Sequence, residues 1–316
     1  MTIGILILNF NTAQDTINCI ESVERHNTAP VKYIVVDNGS PDKQSVKTLE
    51  RYLETTFSGR YLKTDGPVGV LPYMTFFPSP SNDGYAEGNN KGLRLAFDDP
   101  EITHILVINN DILLTEDILP SLLNVSQRLP RCGIVSPLLY RKDGKTIDPN
   151  CAKRSPSNLS IMLPFLFHHR DLFKILTRNG RKTHIIRHNP DLLGSEAFGI
   201  DLPSGSCMFI DKALFQEMGG FDPGTFLYYE ENILFKKTQS LQRQNYCIPG
   251  VSAIHLGAHS TRMSSNSFLQ KCNVESADHY LRRYGMMTWS EKALWGVVKW
   301  AYQFRLSVKE WIGRRK

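Results

Sequence analysis

Short apolar runs that stop abruptly at amides and carboxylates recur along the chain. Ile105, Leu106, Val107 and Ile108 run into Asn109, Asn110 and Asp111, after which Ile112 and Leu113 resume the apolar character. A branched apolar run of this kind predicts a buried central strand, and its polar end falls at the mouth where open α/β sheets bind ligands. The same three polar residues also suit an Asx turn between two apolar segments. Residues 3–8 repeat the pattern and end in Asn9, Phe10, Asn11 and Thr12; residues 32–36 repeat it again and end in Asp37, Asn38, Gly39 and Ser40. Between them Ile17, Ile20 and Val23 keep helical spacing behind a cap at Thr12 or Asp15. Polar-ended strands joined by a helix predict parallel pairing in a doubly wound sheet.

Further along, the pattern is less regular. Residues 57–80, rich in glycine and proline, are expected to form an irregular excursion. Glycines at 84, 88 and 92 surround Asn89, Asn90 and Lys91 ahead of a helical stretch at 93–97. Such a loop lets backbone approach a ligand and offers amides and an ammonium to a nucleotide, or it simply caps a helix. Residues 117–129 predict a helix stopped by Pro130, residues 132–140 a strand, and Asp143 with Gly144 a hairpin turn. Residues 148–190 mix prolines, aromatics and histidines, with a helical centre able to cover the acceptor side of a cleft; His168, His169, His184 and His188 have no zinc-site spacing. Ser204, Gly205 and Ser206 turn into a strand ending at Ile210, and Asp211 starts a helix. After the break at Gly219 and Gly220, Tyr229 leads into Glu230 and Glu231 at the start of another helix. Two carboxylates there suit the helix dipole, and in a cleft one of them can take a proton from a sugar hydroxyl. Two short strands at 246–249 and 251–254 deliver His255, which can join Asp111 on a divalent ion or serve as a capping or core histidine.

Composition narrows the field. With 316 residues and 41% hydrophobic content, the chain suits a large α/β domain with additions and excludes a disordered or fibrous protein. The net charge of +6 suits anionic substrates or an anionic membrane surface; without a recognition helix or aromatic RNA-binding signature, nucleic acid is not an expected partner. Six cysteines without a CxxC pair predict reduced, buried thiols in an intracellular protein. There is neither a GxGxxG after the first strand nor a P-loop. In residues 263–316, Trp289, Trp295, Trp300, Tyr302, Phe304 and Trp311 alternate with Lys292, Lys299, Arg305, Lys309, Arg314, Arg315 and Lys316. This predicts a peripheral anchor on anionic membrane; the alternative is a helix packed on the catalytic domain or across a homodimer.

Taken in order, Leu8 to Asn11, Val35 to Ser40, Asn82 to Gly92, Val107 to Asp111, Pro203 to Ser206, Gly219 to Asp222, Phe226 to Glu231 and His255 to Ser260 resemble family 2 glycosyltransferases of GT-A fold, especially bacterial rhamnosyltransferase-like enzymes of surface polysaccharide synthesis. The resemblance covers roughly residues 1–262. It implies an α/β fold with a single Rossmann-like, mostly parallel central sheet flanked by helices. A nucleotide-sugar half would run to about residue 140, an acceptor half would span 141–262, and a helical extension would occupy 263–316. It further implies that Asp37 contacts the base or ribose, with Asn9, Asn11 and Asn38 in the same pocket and Asn89, Asn90 and Lys91 at its edge. Asn109, Asn110 and Asp111 occupy the place of the DxD-like motif, with Asp111 and His255 on Mg²⁺ or Mn²⁺. Glu231 falls at the catalytic base, beside Glu230, and Ser204, Gly205 and Tyr229 fall on the acceptor side. Here the metal motif has one carboxylate, the base is Glu where Asp is usual, and Ile233 stands at a later acidic position. The implied reaction is inverting transfer from a UDP- or dTDP-sugar to a glycan or lipid-linked glycan, in the cytoplasm at the inner face of the plasma membrane. A sugar-phosphate nucleotidyltransferase would want a glycine-rich basic loop after the first strand, which residues 8–13 lack. An inactive sugar-nucleotide-binding or scaffold subunit is the other alternative.

Overall fold

The apolar runs pair into one ten-stranded sheet. A computed structural model describes residues 1–166, 184–257 and 266–313 of the protein. Strands β1 (Thr2–Asn9), β2 (Val31–Asp37) and β5 (Ile102–Asn109) lie side by side and parallel, with β1 in the middle. In that register Asn9 faces Asp37 and Leu8 faces Asn109, so the polar ends of three separate runs meet at one edge. The expected excursion at 57–80 contains two further parallel strands, β3 (Tyr61–Lys63) and β4 (Met74–Pro78), which extend the sheet beyond β2.

Beyond β5 the sheet is mixed. Strand β9 (Cys207–Asp211) runs antiparallel between β5 and β7 (Cys132–Arg141). The expected pieces at 246–249 and 251–254 are one strand, β10 (Gln244–His255), parallel to β7 with a register shift between Ile248 and Ser252. Strands β6 (Ile112–Leu114) and β8 (Phe198–Ile200) pair antiparallel with opposite ends of β10.

Because successive strand residues point to opposite faces, β1 divides its side chains between two cores. Ile3, Ile5 and Ile7 join Ile17, Ile20 and Val23 of α1 (Ala13–His26) and Leu49 and Leu53 of α2 (Lys43–Thr56). On the other face Leu6 joins Leu93 and Ala96 of α3 (Gly84–Asp98). Helix α3 begins at Gly84, well before residue 93, and its glycines at 88 and 92 serve the sheet. A Cβ at Gly88 would lie 2.9 Å from Leu8 Cδ1, and one at Gly92 would lie 2.2 Å from Leu6 Cδ1. Helix α4 (Leu119–Arg128) and the Asp143 turn fall where the sequence predicts them. All six cysteines are buried and unbridged.

The C-terminal residues are not a detached appendage. Helices α5 (Asn158–Leu166), α8 (Asn266–Arg283) and α9 (Trp289–Gly313) build a third core with Ile233 of α7 (Glu230–Ser240). Helix α6 (Lys212–Glu217) starts at Asp211, whose side chain accepts the Leu214 N–H. Trp295 is fully buried in the third core, its indole N–H donated to Asp278 at 2.8 Å. Thr288 and Glu291 form a reciprocal capping box at the start of α9. No described helix is long and apolar enough to cross a membrane. His168, His169 and residues 258–265 and 314–316, singled out above in part, lie outside the described residues.

Replacing Gly92 with Ala is expected to destabilise the protein by about 1–3 kcal/mol, since overpacking against Leu6 and Val36 outweighs the helix preference of alanine. Urea unfolding of G92A measures it; an increase in stability would remove the seating role of Gly92.

Candidate active site

At the meeting edge, Asn9 Nδ2 donates to Asp37 Oδ1 at 2.7 Å, and Asp37 also accepts from the Ser40 hydroxyl at 2.5 Å and its N–H at 3.1 Å. Asn9 Oδ1 accepts from Thr16 Oγ1 at 2.8 Å, and Thr16 in turn accepts from Asn110 Nδ2 at 2.9 Å. A buried polar chain thus ties β2 to β1, α1 and the end of β5. Asn11, at φ 59°, accepts from the Asp42 N–H, while Asn38 donates to Asn82 and to the Gly84 carbonyl. Gly39 turns at φ +65° with space for no side chain, since a Cβ would lie 2.2 Å from the Ser81 carbonyl carbon. Asn89 donates to the Tyr85 carbonyl, Asn90 exchanges bonds with both backbone groups of Phe221, and Lys91 pairs with Asp83 and Ser79.

A cavity of about 870 Å³ opens beside this framework. It brings together Asn109, Asn110, Asp111, His255, Gly205, Tyr229, Glu230 and Glu231. Ser204 is buried next to its wall, whereas Asn9, Asn11, Asp37, Asn38, Asn89, Asn90 and Lys91 do not line it. Also facing the cavity are Tyr85 and Tyr228, which lie in two of the matching stretches but are not among the expected site residues, and Lys153, Arg154, Phe165 and Tyr302, which come from segments whose local sequence carries no site motif.

His255 Nε2 lies 3.4 Å from Asp111 Oδ2, and its Nδ1 lies 2.6 Å from Asp148 Oδ2. Burial alone would lower the His255 pKa, but hydrogen bonds and charge from Asp111 and Asp148 outweigh it and raise the pKa to about 9. Asp148 is distant in sequence from both partners, and only the fold reveals it. Among the described residues no group of three or more His, Cys, Asp or Glu side chains is arranged to hold a metal ion. Asp111 and His255 offer one oxygen and one nitrogen toward common space, with Asp148 orienting the ring from behind. That donor set fits a divalent ion that displaces the Nε2 proton and takes its other positions from water and substrate phosphates.

The glutamate pair is set by an unusual turn. Tyr228 and Tyr229 have φ of 78° and 70°, a left-handed conformation that costs aromatic residues about 1–3 kcal/mol each. Helix α8 holds them there: Ser276 donates to the Leu227 carbonyl at 2.9 Å, and the Tyr229 ring stacks on Tyr280 with centroids 5.7 Å apart. Glu231 Oε1 then accepts the Gly205 N–H at 3.1 Å, while the Gly205 carbonyl accepts from the Tyr85 hydroxyl at 2.7 Å. A Cβ at Gly205 would sit 2.5 Å from that carboxylate oxygen, so glycine permits the contact. Glu230 is buried and its Oε1 has no hydrogen-bond partner. Burial first, and then the charge of Glu231, push its pKa up to about 8. The burial that favours the protonated form of Glu230 does not act on the Glu231 contact, where the Gly205 N–H anchors one carboxylate oxygen.

Parallel strand ends on one side, a mixed sheet on the other and a cavity between them define the GT-A class of glycosyltransferase folds. The chain belongs to glycosyl transferase family 2, whose model matches residues 4–218. Over 288 residues it is 24% identical to the N-acetylglucosaminyl-diphospho-decaprenol L-rhamnosyltransferase of Mycobacterium tuberculosis, covering 89% of this chain and 82% of that protein. Over 230 residues it is 22% identical to the low-salt glycan biosynthesis hexosyltransferase Agl10 of Haloferax volcanii, covering 72% and 59%. The mannosyltransferase PcManGT from Pyrobaculum calidifontis, solved with GDP-Man and Mn²⁺, superposes with a TM-score of 0.52 at 14% identity over 97% of this chain and 86% of that one. GalNAc-T7, solved with UDP, GalNAc and Mn²⁺, gives a TM-score of 0.56 at 13% identity; the match takes in 82% of this chain but 44% of that longer one.

The Glu230 shift has a signed consequence for stability. An unfolded glutamate titrates near 4.5 and the folded one near 8, so between those values the folded state retains a proton that the unfolded state has lost. Stability therefore falls as pH rises through this window. Glu230→Gln removes the effect, and its melting temperature is expected to exceed that of the parent by a margin that grows from about pH 5 to about pH 8. Parallel melting curves at all pH values would show that Glu230 is ionised in the fold.

Proposed function

We propose that the protein transfers a sugar from a UDP- or dTDP-sugar to a hydroxyl of a glycan or lipid-linked glycan, with inversion at the anomeric carbon in a single displacement. The observation that carries this reading is that Glu231 and the Asp111 and His255 pair line the same cavity. Asp111 and His255 would hold Mg²⁺ or Mn²⁺, which when bound neutralises charge on the departing diphosphate. Glu231 takes the acceptor proton at Oε2, because Oε1 is occupied by the Gly205 N–H. Glu230, neutral beside it, adds no second charge to the cavity. Asn9, Asn11, Asp37, Asn38, Asn89, Asn90 and Lys91 then shape the nucleotide side through the loops they hold, and Gly205 and Tyr229 border the acceptor.

Asp111→Ala is expected to fold normally and to lose Mn²⁺-dependent donor affinity in calorimetry; unchanged affinity would exclude Asp111 as a ligand. Glu231→Gln should keep donor affinity and lose transfer by roughly 10²-fold or more, while E230Q retains most of it. Near-normal transfer by E231Q would exclude Glu231 as sole base. Donor binding without any turnover of donor would support an inactive sugar-nucleotide-binding subunit.

The protein would act at the inner face of an anionic membrane. Along the outer face of α9, Trp289, Val297, Trp300 and Phe304 are 84%, 64%, 68% and 59% exposed, with Lys292 beside them, while Trp295 and Val298 on the inner face belong to the third core. Interfacial aromatics and basic residues suit a lipid surface. Since truncation would break that core, the test is W289S/W300S/F304S, which is expected to weaken salt-sensitive co-sedimentation with anionic vesicles and leave circular dichroism unchanged. An unchanged vesicle fraction would exclude this face, and a drop in sedimentation mass on substitution would assign it to a homodimer.

A further inference from the structure

Glycine at position 205 solves one problem and creates another. A Cβ there would meet Glu231 Oε1 at 2.5 Å, so only glycine lets the carboxylate take the backbone N–H. Glycine is also the residue whose backbone turns most freely, and a freely turning peptide is a poor anchor. Among the described residues neither polar group of Gly205 bonds to other backbone: the N–H goes to Glu231, and the carbonyl accepts from the Tyr85 hydroxyl at 2.7 Å. The next residue is held from the opposite side, since the Asn109 N–H donates to the Ser206 carbonyl at 2.8 Å.

Tyr85 is itself rigidly placed. It lies in the first turn of α3, with its N–H on the Phe226 carbonyl at 2.7 Å and its ring edge-on to Phe221 at 5.6 Å between centroids. Gly84 before it packs so closely under the Phe226 carbonyl that a Cβ would lie 2.2 Å from the oxygen. Burial first, and then the neighbouring carboxyl groups of Glu231, Glu230 and Asp111, raise the Tyr85 pKa well above the usual tyrosine value, so the hydroxyl keeps the proton that it donates. We propose that Tyr85 is a positioning residue for transfer: its hydroxyl fixes the Gly205 carbonyl, the Gly205 N–H in turn fixes Oε1 of Glu231, and Oε2 is left for the acceptor proton. This rests on the reading of Glu231 as the base. Phenylalanine at 85 would keep the packing on Phe221 but leave a buried carbonyl unpaired, and the Gly205 peptide would turn to find another donor. Glu231 would then lose its fixed partner while the ligands proposed for the metal, Asp111 and His255, stay where they are.

Tyr85→Phe, Glu231→Gln and the double variant form a cycle that separates positioning from a merely structural role. Turnover is read as release of nucleotide diphosphate from UDP-glucose, UDP-galactose, their N-acetyl forms and dTDP-rhamnose, with water as the acceptor. Y85F is expected to lower kcat about ten-fold with the donor KM close to that of the parent, because a misplaced base costs rate more than donor binding. In the E231Q background the same substitution should cost nothing further, since the group that Tyr85 positions is already gone. Losses that multiply in the double variant, or normal turnover by Y85F, would overturn the proposal. Near-normal turnover by E231Q would instead remove the reading of Glu231 on which it rests. A measurement independent of any donor is hydrogen exchange at the Gly205 amide, expected to be about ten-fold faster or more in Y85F while the amides of β5 exchange as in the parent. Unchanged exchange at Gly205 would show that Tyr85 does not hold the peptide.

Discussion

Everything in this molecule that bears on chemistry depends on keeping the ends of parallel strands from unravelling into water. Strand ends carry backbone and side-chain groups that the ladder no longer satisfies, and a cleft cannot be built on groups that wander. Here the buried chain from Asp37 through Asn9 and Thr16 to Asn110 binds three strand ends and the start of α1 into one unit. Charge-assisted bonds to a buried carboxylate are stronger than neutral ones, and full satisfaction turns a costly group into a rigid one. Asp111, the next residue after Asn110, inherits that rigidity.

The second support comes from the far end of the chain. A left-handed turn at two tyrosines is unfavourable by itself and persists only where surroundings over-determine it. The rings of Tyr280 and Tyr284, the Ser276 hydroxyl and the contacts of Asp222 with His279 and Tyr284 supply that surrounding. The helical extension is therefore part of the architecture of the cavity. Its inner face completes the wall of the cavity, and its outer face is left apolar.

Much of this was legible in the order of residues. Continuous branched apolar runs located β1, β2, β5 and β7, because a strand buried on both faces has few other ways to be written. The polar endings pointed to the right edge of the sheet, and the Glu230 and Glu231 pair fell at the helix start where it was expected. What escaped was set by tertiary partners. Gly88 and Gly92 look the same in sequence whether they admit a ligand or a neighbouring strand, and only the approach of Leu8 and Leu6 decides. The short strands β3 and β4 lie among glycines and prolines and owe their pairing to the neighbour β2. Asp148, Lys153 and Tyr302 belong to no local motif; Asp148 is tied to β7 behind His255, while Lys153 and Tyr302 reach the cavity through an isolated bridge to Leu202 and the third core.

Tyr85 sits where these two supports touch. Its N–H donates to the Phe226 carbonyl at 2.7 Å, its hydroxyl reaches the Gly205 carbonyl, and the preceding residues hold the Asn38 and Gly39 turn. One end of α3 is thus bolted at once to the rim of the nucleotide side and to both segments that frame Glu231. On the proposed chemistry the two reactants would meet against a single beam, and the gap between a departing group and an incoming hydroxyl would be a dimension of the scaffold, set before either one arrives.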